Sequence, residues 1–288
     1  MNQYPKTLAI LKRFITDRLA RIYDSYEARS IAQQLLEDQF GVSLTDVLAD
    51  KPLVLNKEQS EKLDQDLERL YQGEPIQYVT GKAHFFGRTF DVNRAVLIPR
   101  PETEELIQVI LEENENLSSI LDIGTGSGAI AITLKLEIVE TSVTAVDLST
   151  SALEVAKKNA KDLHAEVEFI EMDILKETPK GTFCAIVSNP PYVMQSEKPM
   201  MHKNVLDYEP ATALFVADNQ PLIFYERIAA LGCEILEAKG KLYFEINERF
   251  GEEVKNMMIE NGYIHVNVIK DMQGKDRMVI GERPNDQH

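Results

Sequence analysis

The sequence contains few of the residues that build disulfide frameworks and metal sites. Only two of its 288 residues are cysteines, Cys184 and Cys233, and they form no Cys-x-x-Cys pair. We therefore expect neither a disulfide framework nor a zinc site. The histidines have no partner spacing for a metal either; they are His84, His164, His202, His265 and His288. The prediction is a protein without a bound metal.

Long apolar segments are missing as well. No window approaches the roughly 18 consecutive apolar residues of a membrane-spanning helix. The N-terminal segment Met1–Lys6 leads into a helical pattern that carries charges throughout, which is not typical of a signal peptide. We therefore predict a cytoplasmic protein that does not associate with membranes.

Positive charge is scarce, because 31 lysines and arginines stand against 47 acidic residues and give a net charge of −16 at pH 7. A protein that binds nucleic acid mainly through phosphates needs a basic surface, and no basic run is present. We expect no stable nucleic-acid binding, although a local basic patch would still be compatible with a DNA or RNA substrate. The hydrophobic share of 44% is typical of a globular protein with a sizeable core.

Two regions precede the part of the sequence that carries the recognisable motifs. Residues 1–72 place apolar side chains at helical spacing and predict a small all-α bundle, which we expect to dock the substrate. Residues 73–98 mix β-formers with glycines and predict a β-hairpin connector. Its short predicted strands are 78–79, 84–86, 90–92 and 96–98.

Residues 99–288 alternate between strand and helix patterns. Such alternation predicts an α/β domain with a doubly wound, mostly parallel sheet. The last two predicted strands, 263–270 and 277–282, are joined by a connection that is too short for a parallel crossover. We therefore expect the last strand to be antiparallel.

A glycine loop joins the first strand of this domain to its first helix. The loop reads Gly124-Thr125-Gly126-Ser127-Gly128, and Asp147 ends the next strand. Glycines let a ligand approach the backbone, and a carboxylate at this position can accept hydrogen bonds from ribose hydroxyls. Simple turn chemistry and a helix-capping acid are the alternatives. Together, the loop and the acid favour a nucleoside cofactor.

The spacing of this loop, with Asp122 before it, resembles the S-adenosylmethionine loop of class I methyltransferases. In that family, Asp173 and Ile174 correspond to the positions beside the adenine. An ordinary acid at the end of a strand would also explain Asp173.

Strand 183–188 ends in Asn189-Pro190-Pro191-Tyr192. Two prolines cannot continue a central strand, and ligands bind outside the carboxyl ends of strands in open α/β sheets. A turn alone would explain the prolines but neither the amide nor the aromatic ring. Asn189 Oδ1 and the Pro190 carbonyl can accept hydrogen bonds from an NH2 group and orient its lone pair. Tyr192 can pack on a planar substrate. Transfer of a methyl group from a sulfonium donor requires no strong general base.

Several longer stretches are similar to the peptide chain release factor glutamine methyltransferases. They are GEPIQYVTG (73–81), FFG (85–87), VLIPRPETE (96–104), VSNPPY (187–192), YEP (208–210) and DMQGKDR (271–277). The resemblance implies a class I methyltransferase (Rossmann-like) fold after a small all-α N-terminal domain. It also implies N5-methylation of the glutamine in the Gly-Gly-Gln motif of release factors, in support of translation termination.

The resemblance further implies which residues form the site. S-adenosylmethionine, with S-adenosylhomocysteine as the product, would contact Gly124, Thr125, Gly126, Ser127, Gly128, Asp147, Asp173, Ile174 and Asn189. The substrate glutamine would contact Asn189, Pro190, Pro191, Tyr192, Phe86 and Arg100, of which Asn189, Pro190 and Tyr192 are the expected catalytic residues.

Two other functions are compatible with parts of this pattern. An adenine-N6 methyltransferase on DNA or RNA would use the same Asn-Pro-Pro-Tyr, but it needs a basic groove or a recognition domain for the flipped base's strand. A non-enzymatic cofactor-binding scaffold would not need an intact Asn189–Tyr192 beside the glycine loop. The release factor function is therefore the favoured hypothesis.

Overall fold

A computed structural model describes residues 4–114 and 116–285, so Met1–Gln3 and His288 of the predictions above lie outside the described residues. The helices are α1 (Leu8–Leu19), α2 (Ser25–Phe40), α3 (Leu44–Leu48), α4 (Lys57–Tyr71), α5 (Ile76–Thr80), α6 (Pro101–Glu113), α7 (Ala129–Glu137), α8 (Thr150–Asp162), α9 (Lys203–Tyr208), α10 (Ala211–Leu214), α11 (Ile223–Ile235) and α12 (Gly251–Glu260). The strands are β1 (Lys82–Phe85), β2 (Arg88–Asp91), β3 (Ser119–Ile123), β4 (Ser142–Asp147), β5 (Glu168–Glu171), β6 (Phe183–Ser188), β7 (Val193–Met194), β8 (Phe215–Val216), β9 (Leu236–Glu245), β10 (Ile264–Lys270) and β11 (Asp276–Glu282).

The chain forms two compact units. The first unit contains the residues up to Lys82 together with His202–Tyr208, and the second contains Ala83–Met201 and Glu209 onward. The first unit therefore extends ten residues beyond the predicted boundary at residue 72, since Ile76 and Val79 belong to its apolar core.

The first unit is helical, as predicted, and its helices have clear start and stop signals. Asp24 accepts hydrogen bonds from the backbone N–H groups of Tyr26 and Glu27 at the start of α2, and Gly41 ends this helix with a φ of 65°. Such caps satisfy backbone groups that have no partner within the helix. The amphipathic faces then pack together in one core, whose fully buried leucines include Leu11, Leu35, Leu36, Leu63, Leu67 and Leu70.

The strand predicted at Tyr78–Val79 is wrong, because these residues lie in α5. Arg69 pairs with the buried carboxylate of Glu74 and also donates to the carbonyl oxygens of Tyr78 and Val79. These tertiary hydrogen bonds satisfy carbonyls at the end of the short helix and outweigh the β-propensity of its residues. The strand predicted at 96–98 is also wrong, since the structure has no strand there.

The second unit is built around a seven-stranded sheet with the order β10-β11-β9-β6-β3-β4-β5. Strands β9, β6, β3, β4 and β5 are parallel, whereas β11 pairs antiparallel with both β9 and β10. The mostly parallel sheet and its antiparallel last strand are confirmed. A short β1–β2 hairpin, also predicted, precedes the sheet.

Helices cover both faces of this sheet. Along β6, Ala185 and Val187 point into a core that they share with α6, α7 and α8, whereas Ile186 points into a second core with α11 and α12. Alternating side chains point to opposite faces of a strand, and the buried strands of a parallel sheet are therefore apolar throughout. Within the described residues, no helix is long and apolar enough to cross a membrane.

Replacing Thr133 by valine is expected to stabilise the second unit. Thr133 is fully buried in α7, and its hydroxyl has no hydrogen-bond partner among the residues that the structure describes. An unpaired buried hydroxyl costs about 1 kcal/mol or more, and valine has nearly the same shape without it. Urea denaturation should show a higher free energy of unfolding for Thr133→Val and a lower one for Thr133→Ser. A decrease for the valine variant would contradict this expectation.

Candidate active site

A cavity of about 500 Å³ opens at the carboxyl ends of β3, β4 and β6. Strand β3 lies between β4 and β6, so the chain leaves β3 toward one side of the sheet and returns on the other side. Ligands bind at such a switch point in open α/β sheets, and a volume of a few hundred Å³ suits a nucleoside-sized molecule. Of the predicted site residues, the cavity is lined by Gly124, Thr125, Gly126, Ser127, Asp147, Asp173, Ile174, Asn189, Pro190, Pro191 and Arg100.

The glycine loop forms one wall of this cavity. Gly124, Gly126 and Gly128 all have positive φ angles, of 79°, 55° and 82°. A Cβ added to Gly126 would meet no protein atom within 4 Å, whereas one on Gly128 would lie 2.8 Å from Ile132 and 3.2 Å from Ala156. Gly126 thus leaves backbone open toward a ligand. Gly128 is not part of the cavity lining and instead lets α7 approach α8 closely.

Asp147 ties the glycine loop to the end of β4. One of its carboxylate oxygens accepts a hydrogen bond from the Gly126 N–H at 2.8 Å, and the other accepts one from the Ser149 N–H at 2.9 Å. Burial raises the pKa of Asp147, while these backbone donors act in the opposite direction. A carboxylate has about four acceptor positions, so Asp147 has capacity left for ligand hydroxyls.

Asp122 lies beneath the same loop and is completely buried. Its Oδ2 atom accepts hydrogen bonds from the Thr125 hydroxyl and the Ala131 N–H, whereas Oδ1 has no partner among the residues that the structure describes. Burial is the main cause that raises the pKa of Asp122 to about 7. In the sequence, this acid is recognisable only as part of the loop pattern.

Asp173 and Ile174, which follow β5, also line the cavity. The Asp173 carboxylate pairs with Lys176 at 2.7 Å and accepts a hydrogen bond from the Leu175 N–H. The hydrogen bond from Lys176 lowers the pKa of Asp173. The Ile174 side chain is buried, and its carbonyl accepts a hydrogen bond from Arg227.

Asn189 follows β6 and reaches the cavity beside the glycine loop. Its Nδ2 atom donates to the Thr103 hydroxyl at 3.3 Å. In the part of the chain that the structure describes, no donor reaches Asn189 Oδ1 or the Pro190 carbonyl. Asn189 and Pro190 both line the cavity, and two acceptor oxygens without a protein donor are what recognition of an NH2 group requires.

Tyr192 and Phe86 do not line the cavity. The Tyr192 hydroxyl donates to Glu245 Oε1 at 3.3 Å, and burial raises the pKa of this tyrosine. Phe86 has a φ of 48° in the turn between β1 and β2, where its N–H donates to Glu104. Their expected substrate contacts stay predictions.

Arg100 is held by an acid that the sequence analysis did not assign. Its guanidinium pairs with the buried Glu209 at 2.6 Å, and the other oxygen of Glu209 accepts from the Ile98 N–H. Sequence reasoning also missed Thr103 and Glu245, which contact Asn189 and Tyr192. Glu245 could have been suspected, because it ends β9, the neighbour of β6 in the sheet.

Changes at Tyr192 should separate the contribution of its ring from that of its hydroxyl. Tyr192→Phe removes one long hydrogen bond to Glu245, which contributes about 1 kcal/mol to stability or less. Tyr192→Ala also removes the ring that packs on the core beside α11. We therefore expect the kcat of Tyr192→Ala to be roughly tenfold lower than that of Tyr192→Phe. Steady-state kinetics of both variants test this order. A larger loss for phenylalanine would assign the main role to the hydroxyl.

The lining residues fit S-adenosylmethionine, the cofactor that the sequence resemblance implies. The space beside Gly126 accepts ligand atoms that a side chain would displace. Asp147 offers acceptors for the ribose hydroxyls, and the buried Ile174 offers an apolar surface for the adenine.

Among residues 4–114 and 116–285, no group of three or more His, Cys, Asp or Glu side chains could hold a metal ion.

Each of the two units contains a segment that matches a known protein family. Residues 11–81 match the family model "PrmC N-terminal domain", and residues 101–212 match "Methyltransferase small domain". A release factor glutamine methyltransferase of Bacteroides thetaiotaomicron is 45% identical over 94% of this chain and 98% of its own length. One of Flavobacterium psychrophilum is 43% identical over 91% of this chain and 94% of its own.

A solved structure is similar in fold. The methyltransferase from Pyrococcus furiosus has a TM-score of 0.52 and 20% identity, and the match covers 77% of this chain and 99% of that one. The predicted fold class, a methyltransferase sheet preceded by a helical N-terminal domain, is confirmed.

Proposed function

Because the chain belongs to the release factor glutamine methyltransferase family, we propose that it methylates the glutamine of the Gly-Gly-Gln motif in peptide chain release factors at N5. The enzyme is a methyltransferase, and S-adenosylmethionine is its cofactor. One observation carries the proposal: Asn189 and Pro190 line the same cavity as the glycine loop and Asp147. A release factor substrate also favours a cytoplasmic location.

The cofactor supplies an electrophilic methyl group on a positively charged sulfur. Residues 124–127, Asp147 and Ile174 would hold it in the cavity, because they offer open backbone, carboxylate acceptors and an apolar wall. Asp173 would contribute on the adenine side, although one of its oxygens already pairs with Lys176.

Asn189 and Pro190 would bind the substrate amide. Asn189 Oδ1 and the Pro190 carbonyl each accept one hydrogen from the glutamine NH2 group, so the nitrogen lone pair is held in one direction. These acceptors also favour the tetrahedral nitrogen that develops in the transition state. Pro191, Tyr192 and Arg100 would shape the approach of the substrate, with Arg100 fixed by Glu209. Among the described residues, those that line the cavity include no histidine or cysteine, which suits a reaction that needs no strong base.

A methyl-transfer assay with labelled S-adenosylmethionine tests the function. Purified release factor, adenine-containing DNA and adenine-containing RNA should be offered separately. We expect label on the release factor only, and no label when its Gly-Gly-Gln glutamine is replaced. Label on nucleic acid alone would instead support adenine-N6 methylation and would contradict the proposal.

We propose that the first unit docks the release factor while the second carries out methyl transfer. A single glutamine offers too little contact to select one protein, so a further docking surface is required. The first unit presents Leu44 and Leu48 on α3, exposed to 52% and 78%. Residues four apart lie on the same face of a helix, and an apolar pair on that face is suited to contact a protein surface.

The double variant Leu44→Asp/Leu48→Asp should raise KM for the whole release factor roughly tenfold. It should leave KM for a short Gly-Gly-Gln peptide unchanged, because the peptide lacks the parts of the release factor that would dock on the first unit. Ile10→Asp is the matched control, since Ile10 is also exposed in the first unit but lies on α1. Equal effects on the whole factor and the peptide would contradict a docking role for this face.

A further inference from the structure

A chain of buried and half-buried hydrogen bonds connects Asn189 to Glu245, at the end of the neighbouring strand β9. Asn189 Nδ2 donates to the Thr103 hydroxyl at 3.3 Å, and Thr103 donates to Glu245 Oε2 at 2.6 Å. The other oxygen of Glu245 accepts from the Tyr192 hydroxyl at 3.3 Å. Thr103 comes from the first turn of α6 and Glu245 from the end of β9, so two elements besides β6 contribute side chains to this chain of hydrogen bonds.

The direction of each hydrogen bond in this chain follows from the carboxylate. An ionised carboxylate only accepts, so the single hydroxyl hydrogen of Thr103 is committed to Glu245. In its contact with Asn189, the Thr103 oxygen can therefore only accept a hydrogen bond. The NH2 group is the only donor of the Asn189 side chain, so the NH2 end of the amide must face Thr103. The amide oxygen then faces away from Thr103.

Glu245 is poorly explained as a stabilising residue. It is 1% exposed, and replacing a buried charged group by an apolar one of similar volume is often neutral or stabilising. Burial raises the pKa of Glu245, whereas the hydrogen bond from Thr103 and the charge of Arg277 oppose the shift and favour the ionised form. A buried carboxylate of this kind is better explained by the arrangement that it imposes on its neighbours.

We infer that Thr103 and Glu245 are positioning residues that lock the Asn189 amide with its oxygen toward the cavity. A flipped amide would present NH2 to the substrate NH2, and two donors cannot form a hydrogen bond. The inference rests on the proposed function, because it assigns the locked oxygen to the glutamine amide. It adds that the direction of the Asn189 acceptor depends on Thr103, which also lines the cavity, and on Glu245, which does not line it.

Thr103→Val and Thr103→Ser separate the hydroxyl from the volume of the side chain. Valine keeps the shape and removes the acceptor, and we expect it to lower kcat with whole release factor by up to roughly 100-fold. Serine keeps the hydroxyl and should retain most of kcat. The affinity for S-adenosylhomocysteine, measured by calorimetry, should be unchanged in both. Thr133→Val is the matched control, since Thr133 is also buried but its hydroxyl has no partner among the described residues, and the kcat of this variant should equal that of wild type.

Glu245→Gln is the second variant and tests the direction of the chain. The new amide can donate to Thr103, which then donates its own hydrogen to Asn189 and favours the flipped amide. We expect a lower kcat, and we expect the double variant Thr103→Val/Glu245→Gln to be no worse than Thr103→Val alone, because both changes act through one bond. If Thr103→Val does not fold, Glu245→Gln decides the question by the same measurements.

A readout without turnover keeps this inference separate from the proposed function. In protein labelled with ¹⁵N-asparagine, the Asn189 side-chain NH2 signals, assigned by their loss in Asn189→Asp, should exchange slowly with solvent. They should exchange faster in Thr103→Val and Glu245→Gln but not in Thr133→Val. Unchanged exchange and unchanged kcat in both test variants, or equal losses in Thr103→Val and Thr103→Ser, would overturn the inference. A wild-type protein that labels no release factor would contradict only the proposed function.

Discussion

Asn189→Ala is expected to lower kcat by roughly 100- to 1,000-fold, the cost of removing one preorganised hydrogen-bonding group at a reacting centre. Asn189 is the only side chain of the Asn-Pro-Pro-Tyr motif that combines a cavity-facing position with a polar group held by a neighbour. Alanine removes the Oδ1 acceptor for the glutamine NH2 group while the Pro190 carbonyl remains. The fold should be retained, because Asn189 lies after β6 and forms one long hydrogen bond to Thr103.

Single-turnover kinetics with whole release factor would measure this loss, and circular dichroism would confirm the fold. Asn267→Ala is a suitable control, since Asn267 is exposed on the edge strand β10 and its side chain, within the described part of the chain, bonds only to the carbonyl of His265. The control should retain wild-type kcat. Near-wild-type turnover of Asn189→Ala would assign Asn189 a structural role and would remove the main support for the proposed mechanism.

Asp147→Ala is expected to weaken the binding of S-adenosylhomocysteine by roughly 100-fold. Two hydrogen bonds from ribose hydroxyls to a carboxylate contribute about 3 kcal/mol together. The variant also releases the Gly126 and Ser149 N–H groups, so the glycine loop loses the contact that holds it against β4. Asp147→Asn keeps one acceptor oxygen and should have an intermediate affinity.

Isothermal titration calorimetry measures these affinities directly. Asp162→Ala is the matched control, because Asp162 is exposed at the end of α8 and pairs only with the exposed Lys158. It should bind S-adenosylhomocysteine as wild type does. If Asp147→Ala also binds it with wild-type affinity, Asp147 serves only to cap the loop and helix, the alternative that its position in the sequence leaves open.

The parts of the fold that follow from local patterns could be predicted from the sequence. Strand β6 was predicted at its observed bounds, because a short apolar run ends at two prolines. Predictions from local β-propensity alone were wrong at 78–79 and 96–98. The small elements between residues 193 and 216, including β7 and β8, were not predicted, since two-residue strands have no periodicity to detect.

The sequence by itself determined the order of strands and helices, the glycine loop, Asp147 and the Asn-Pro-Pro-Tyr motif. These features depend on residues that are close in the chain, and the carboxyl ends of parallel strands necessarily meet at one edge of the sheet. Only the tertiary structure decided which side chains form hydrogen bonds with the motif. Thr103 and Glu245 are 142 residues apart in the chain, and no local spacing predicts a hydrogen bond across that separation. The packing of α6 against the sheet brings them together, and with them the direction of the Asn189 amide.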